Sequence, residues 1–225
     1  TSQGHRILVD TGLGTKLSAR EEQFWGLKRD GGLIDNLRRL GVAPEEVDMV
    51  VNTHLHADHC GSNTHYRNGS LVPTFPQAQY YIQKLEWEAA THPNEWSRYQ
   101  YHEENFVPIA EAGLLHLLDG DAPLTSEVRC LLAKGHTPGH QCVVIESDGE
   151  WAVIIGDIAP MAPQVERVHW LSSFDMEPMV NMETKKRLLQ EARARNGLIF
   201  LFHDPQVQAG RLVEQEGKVR LEKVD

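Results

Sequence analysis

Four short apolar runs each end at a residue able to bind a metal ion or orient a ligand, and that coincidence constrains the fold most. Ile7-Leu8-Val9 stops at Asp10, Met49-Val50-Val51 leads into His54, Ala152 to Ile155 stops at Gly156-Asp157, and Leu198 to Phe202 stops at His203. Runs this short suit strands buried on both faces. Amphipathic stretches alternate with them, so the chain reads as α/β, a layered domain whose site collects at the carboxyl ends of strands.

Two helices are predicted from spacing. Gly31-Gly32 open one whose inward face is Leu33, Ile34, Leu37 and Leu40, with Gly41 as its stop. The second runs from about Asn181 to Asn196, turning Met182, Leu188, Leu189 and Ala192 inward, with Gly197 after it. Residues 83–112 are expected to be helical, broken at Pro93 and Pro108. Glu146-Ser147-Asp148-Gly149 reads as a hairpin turn, and Val207 to Asp225 as strand and turn.

The 225 residues show no repeat or linker, and a single domain over 1–225 is expected. The net charge of −10, with no basic stripe, speaks against nucleic acid as a partner. No apolar stretch reaches membrane length, so no membrane partner is expected. Cys60, Cys130 and Cys142 cannot pair completely, which leaves the cytoplasm as the default compartment. No n-region or apolar h-region precedes Ile7, so no export signal is expected within the given sequence.

The chemistry is densest in His54-Leu55-His56-Ala57-Asp58-His59. In an extended segment alternate residues point the same way, so His54 and His56 can grip one ion. Asp58 and His59 follow one turn on, placed for a second. Gly135-His136-Thr137-Pro138-Gly139-His140, Asp157 and His203 extend the set. Imidazole and carboxylate donors without cysteine suit two divalent cations, Zn²⁺ first, with Mn²⁺ or Fe²⁺ also accepted.

With these residues the sequence resembles the metallo-β-lactamase superfamily, whose signature is His-X-His-X-Asp-His followed by separate His, Asp and His residues. The resemblance runs from Ile7 to about Val224 and implies a four-layer αββα sandwich, here without the usual N-terminal strands. It assigns His54, His56 and His140 to the first metal, Asp58, His59 and His203 to the second, and Asp157 to both. Asp10, in Asp10-Thr11-Gly12, is implied as an orienting residue behind the ligands. His136 is read as a structural loop residue and Cys60 as core, both outside the ligand set. The missing strands imply either a longer natural protein or a second copy covering the sheet edge, a homodimer.

A hydroxide shared by two metals, attacking a carbonyl or phosphoryl centre, is the expected chemistry. Asp58, able to receive a proton or steer the hydroxide, and Asp157 are the expected catalytic residues. Within the superfamily the sequence looks most like the lactonase and organophosphorus-hydrolase group. Its points of likeness are Asn52 to His56, Gly139-His140-Gln141, Gly156-Asp157 and Phe174-Asp175. A small-molecule lactone or ester is therefore the expected substrate, with phosphotriesters as a further option. Many quorum-quenching lactonases carry a substrate-contacting Tyr three residues after the bridging Asp; Pro160 stands there, and the organophosphorus hydrolases also lack that Tyr. Phe24 and Trp25, on a polar loop from Ser18 to Arg29, and His169, Trp170 and Phe174 are the candidate pocket wall. The rivals are a thioesterase of the glyoxalase II type and a non-catalytic metal-binding protein. The strand-like tail counts against the first, and the absence of cysteine from the ligand set against the second.

Overall fold

The computed structural model describes residues 1–28 and 31–224; Arg29 and Asp225, the ends of two predicted segments, lie outside them. The chain forms two compact units, Thr1–Leu118 and Asp119–Asp225.

In the first unit, β1 (Ile7–Val9), α1 (Ala19–Phe24), α2 (Leu33–Arg39) and β2 (Met49–Val51) precede α3 (Ala57–Cys60). A β3 (Thr64–Arg67) and β4 (Ser70–Pro73) hairpin follows, then β5 (Gln79–Gln83), α4 (Lys84–Thr91), α5 (Val107–Glu111) and β6 (Leu115–Leu118). Strands β1-β2-β5-β6 form a parallel sheet, with Ile7 opposite Met49 and Met49 opposite Gln79. Val47, Val50, Phe75, Ala78, Tyr80 and Ile109 make its buried core, and Leu33, Ile34 and Leu37 pack against it.

Leu40 departs from its predicted inward face and is 78% exposed. The cause is the helix end. Gly41, at φ +73°, turns the chain left-handed, and the Val42 N–H reaches back to the Leu37 carbonyl at 2.9 Å. That reversal brings Val42 against the core in place of Leu40. Two other expectations change. Ser18 and Glu21 form a capping box, so Ala19–Phe24 is helical rather than loop. Pro108 sits in the first turn of α5, where its missing N–H is harmless, and so begins a helix instead of breaking one.

The second unit has β7 (Ala122–Pro123), β8 (Val128–Leu132), β9 (Gln141–Ser147), β10 (Glu150–Ile154), α6 (Ala162–Glu166), α7 (Pro178–Ala194), β11 (Leu198–Phe200), β12 (Ala209–Gln215) and β13 (Lys218–Lys223). The strand order is β13-β12-β11-β10-β9-β8-β7, antiparallel except for β10 beside β11. The 146–149 turn is present, with Asp148 and Gly149 both at positive φ. The core is Trp151, Val153, Ile155, Leu188, Leu189, Ala192 and Ile199 with their neighbours. On α7 the buried face also includes Asn181 and Lys185, which hydrophobic spacing does not mark, while Met182 is only half-buried. No helix among the described residues is long and apolar enough to cross a membrane.

Candidate metal centre

In the first unit, β2 ends and the chain runs extended through Asn52 to His56 before α3 begins at Ala57. His54, Leu55 and Thr53 have no exposed surface, and His56 and His59 are nearly as buried. Asp10 supports the histidines from behind. Its Oδ1 accepts the Thr53 N–H at 2.7 Å, and its Oδ2 accepts the Thr53 hydroxyl at 2.7 Å and His59 Nδ1 at 2.8 Å. A carboxylate only accepts, so His59 carries a proton on Nδ1 and turns its Nε2 toward Asp58. The Thr53 hydroxyl proton is committed to Asp10, so its oxygen accepts from His54 Nδ1 at 3.0 Å, leaving His54 Nε2 as a lone pair.

That lone pair stands 3.0 Å from His56 Nδ1. Two imidazole nitrogens holding one tetrahedral Zn²⁺ at 2.0–2.1 Å would lie about 3.3 Å apart. The donor pair therefore fits one cation. Asp58 Oδ2 and His59 Nε2, 3.6 Å apart, form a second pair of the same span.

The backbone around these ligands is pinned from several sides. The His59 carbonyl receives the Thr11 N–H at 2.7 Å and the Asn52 amide at 3.4 Å. Glu86, fully buried on α4, accepts the Leu55 N–H at 2.9 Å and the Tyr101 hydroxyl at 3.2 Å. Burial, with Glu86 beside it, raises the Tyr101 pKa, so its hydroxyl remains a donor. Asp10 itself adopts φ +57°, an uncommon conformation for a residue with a side chain. Sequence reasoning missed Glu86, whose only signal is an acidic residue at a buried helix position.

In the second unit Asp157 follows β10 in a short 3₁₀ turn, Gly156–Ile158. Its Oδ1 lies 3.2 Å from His203 Nε2 and its Oδ2 lies 3.5 Å from His136 Nε2. His136 Nδ1 is bonded to Asp175 Oδ1 at 3.0 Å, which leaves Nε2 as the lone pair. Asp157 thus faces two imidazole nitrogens, one on each carboxylate oxygen.

His140 is placed differently from the expectation that it binds the first metal. Its Nε2 accepts the backbone N–H of Asp157 at 3.1 Å, which occupies that nitrogen and orients the Asp157 turn. Of the two histidines of the Gly-His-Thr-Pro-Gly-His loop, His140 faces the Asp157 backbone and His136 the Asp157 carboxylate. His136, read from the sequence as structural, has the orientation of a ligand. The discriminating partner, Asp175, lies thirty-nine residues away in sequence, so spacing alone could not find it.

The loop before His136 is locked to α7. The Met176 N–H donates to the His136 carbonyl at 3.0 Å and the Glu177 N–H to Gly135 at 2.8 Å. A Cβ on Gly135 would stand 2.2 Å from the Asn181 Cα, so only glycine lets the two backbones approach. The Pro160 carbonyl accepts the His203 N–H at 3.3 Å.

The predicted pocket aromatics are exposed. Phe24 and Trp25 meet edge to face, their centroids 6.1 Å apart, in the first unit. His169, Trp170 and Phe174 are surface residues of the second, and the Arg167 guanidinium lies 4.4 Å from the Trp170 ring centre. Cys60, Cys130 and Cys142 are free and buried, and burial raises each thiol pKa, that of Cys130 to about 12, so none is a ready nucleophile.

Comparison with known proteins bears on both fold and family. The chain is 26% identical over 226 residues to the N-acyl homoserine lactonase AiiA of Bacillus thuringiensis subsp. kurstaki, a match spanning 96% of this chain and 80% of the relative. A probable metal-dependent hydrolase from Staphylococcus aureus superposes with a TM-score of 0.88 at 24% identity, covering 100% of this chain and 80% of that one. AidC, a dizinc quorum-quenching lactonase solved with its product N-hexanoyl-L-homoserine, superposes at 0.81 with 21% identity, covering 100% and 77%. These superpositions show the α/β fold expected from the sequence. The family model described as the metallo-beta-lactamase superfamily matches residues 1–203, from Thr1 through His203. The chain belongs to the metallo-β-lactamase superfamily.

Proposed function

We propose that the chain is a dinuclear metal-dependent hydrolase that opens the ring of a lactone, with N-acyl homoserine lactones as the substrate class. The observation that carries this reading is the clustering of imidazole nitrogens and carboxylate oxygens at metal-ligand spacing, His54 with His56 and Asp58 with His59 in the first unit, and Asp157 with His136 and His203 in the second. Following the family's ligand pattern, His54, His56, Asp58 and His59 are the proposed metal ligands of the first unit, and His136, Asp157 and His203 those of the second. His136 takes the place first given to His140, because His140 Nε2 is committed to a backbone N–H.

Two divalent cations bound by these residues would supply Lewis acidity toward the ester carbonyl and an activated water at neutral pH. The protein's own contribution is orientation. Asp10 and Asp175 hold His59 and His136 by their Nδ1 atoms, which orients each Nε2. Asp58, a fifth exposed at its side chain, is the carboxylate able to receive a proton from the attacking water. The substrate class rests on AiiA and AidC, relatives named as lactonases. Zn²⁺ is the proposed metal, in keeping with the nitrogen and carboxylate donors and with AidC being dizinc.

A second reading, phosphotriester hydrolysis, is favoured by Pro160. A proline offers no side-chain hydroxyl to a lactone, and its carbonyl is engaged by His203. The discriminating experiment is a panel assay on Zn- and Mn-loaded protein with chelated controls, comparing an N-acyl homoserine lactone, an aryl phosphotriester and a glutathione thioester. Metal-dependent lactone turnover well above the other two supports the first reading. Phosphotriester preference supports the second, and thioester turnover alone would replace both with a glyoxalase II-type activity.

A further inference from the structure

Lys185 lies on the buried face of α7 with no exposed surface, and the reaction proposed above makes no use of its ammonium. Lysine normally keeps its charged end in water, and a buried ammonium carries a desolvation cost that an apolar residue of similar length would not. Burial lowers its pKa to about 8, while the Asp175 carboxylate acts in the opposite direction. What Lys185 touches explains its position. Its Nζ donates to the Trp170 carbonyl at 2.6 Å.

One turn earlier on the same face, Asn181 donates its amide to Asp175 Oδ2 at 2.7 Å. The same oxygen accepts the Ser172 N–H at 3.1 Å, and the other carboxylate oxygen holds His136 Nδ1. The segment from Trp170 to Asp175 is therefore fastened to α7 at both ends: at Trp170 by Lys185, and at Asp175 by Asn181 with the Lys185 charge nearby. This segment combines two roles. Its inner end orients a candidate metal ligand, and its outer surface carries the exposed Trp170 and Phe174.

We propose that Lys185 is a positioning residue that fixes the 170–175 segment on α7, holding His136 in its ligand orientation through Asp175 and setting where Trp170 and Phe174 meet the acyl chain of the substrate. The proposal rests on the functional reading above and extends it to one residue that contacts neither metal nor substrate. A merely space-filling lysine would be replaced by methionine without loss of metal affinity, because the methionine fills the same length of buried space.

The test compares the unsubstituted chain with Lys185→Met. It measures zinc affinity by chelator competition, KM and kcat for short- and long-acyl lactones, and amide exchange of residues 170–177 in the metal-free protein. Expected for Lys185→Met are zinc affinity about tenfold weaker, KM for the long-acyl lactone raised severalfold, and faster exchange across 170–177 while α7 stays protected. Wild-type zinc affinity, KM and exchange in a folded Lys185→Met protein would overturn the proposal while leaving the functional reading intact. An unsubstituted chain that binds no zinc would overturn the functional reading and this proposal with it. Should Lys185→Met fail to fold, Lys185→Gln, a neutral side chain one atom shorter that lacks both the charge and the full reach to the Trp170 carbonyl, is judged by the same readouts.

Discussion

His140 Nε2 accepts the backbone N–H of Asp157 at 3.1 Å, whereas His136, four residues earlier, turns its Nε2 toward the Asp157 carboxylate at 3.5 Å. One loop thus supplies an anchor for the Asp157 turn and, on the proposed function, a donor for a cation. The two roles separate under mutation. His136→Ala should lose one equivalent of bound zinc and at least about a hundredfold in kcat/KM, near 3 kcal/mol of transition-state stabilisation. His140→Gln, whose amide oxygen can still accept an N–H, should retain two equivalents. Metal analysis by mass spectrometry with parallel kinetics reads both, and the reverse pattern would restore His140 as the ligand.

Asp10 receives three hydrogen bonds and fixes the tautomers of His54 and His59. In Asp10→Asn one of those acceptor positions becomes a donor that faces the Thr53 hydroxyl or the His59 N–H. Zinc affinity should fall about 10–100-fold. Isothermal titration checks this; unchanged affinity would mean that the histidines hold their orientation without Asp10.

Glu86 should matter to stability more than to chemistry. Glu86→Ala leaves the buried Leu55 N–H and Tyr101 hydroxyl without their acceptor, a cost of about 1–3 kcal/mol for each such group. Urea unfolding of the metal-free protein measures it, and a loss below about 0.5 kcal/mol would contradict the buttressing role.

Two glycine substitutions separate crowding from backbone strain. Gly149→Ala, at φ +81° with open space around its Cβ, should cost about 1–2 kcal/mol. Gly135→Ala adds a collision with the Asn181 backbone and should cost about 3 kcal/mol or more, together with zinc affinity, because the His136 loop must move. Equal costs at the two sites would argue against the close packing of that loop on α7.

Lys185 makes stability depend on pH in a defined direction. Its pKa falls from the ordinary 10.5 to about 8, so between those values the folded chain holds fewer protons than the unfolded one. The penalty of burying the charge is complete below the folded pKa and is relieved as pH rises from about 8 toward 10.5. The stability of the unsubstituted protein relative to Lys185→Met should therefore increase across that window. Denaturation midpoints of both proteins test this, and a difference that stays flat would place the ammonium in a less desolvated setting.

What could be read from the sequence was the set of local signals. The strands at Ile7–Val9 and Met49–Val51, the hairpin at Asp148-Gly149 and the helix stop at Gly41 rest on neighbours within a few residues, and the structure has them where the sequence predicts. The extended His54-X-His56 spacing likewise brings two ring nitrogens together. The hidden features depend on partners distant in the chain. Glu86 reaches Leu55 across thirty-one residues, and Asp175, thirty-nine residues from His136, holds the Nδ1 of the histidine that faces the Asp157 carboxylate. Buried polar residues such as Lys185 and Asn181 escape a hydrophobic pattern for the same reason: their burial depends on acceptors and donors supplied by other elements.

The most direct test of the account is metal content and lactone turnover measured together on one preparation. Purified chain would be stripped with chelator, reloaded with Zn²⁺ in steps, and assayed at each step for ring opening of an N-acyl homoserine lactone. The account predicts two zinc ions per chain, with activity that rises as the second ion binds and is absent from Asp157→Asn. Full activity in the stripped protein, or a chain that binds no zinc through these histidines, would contradict it.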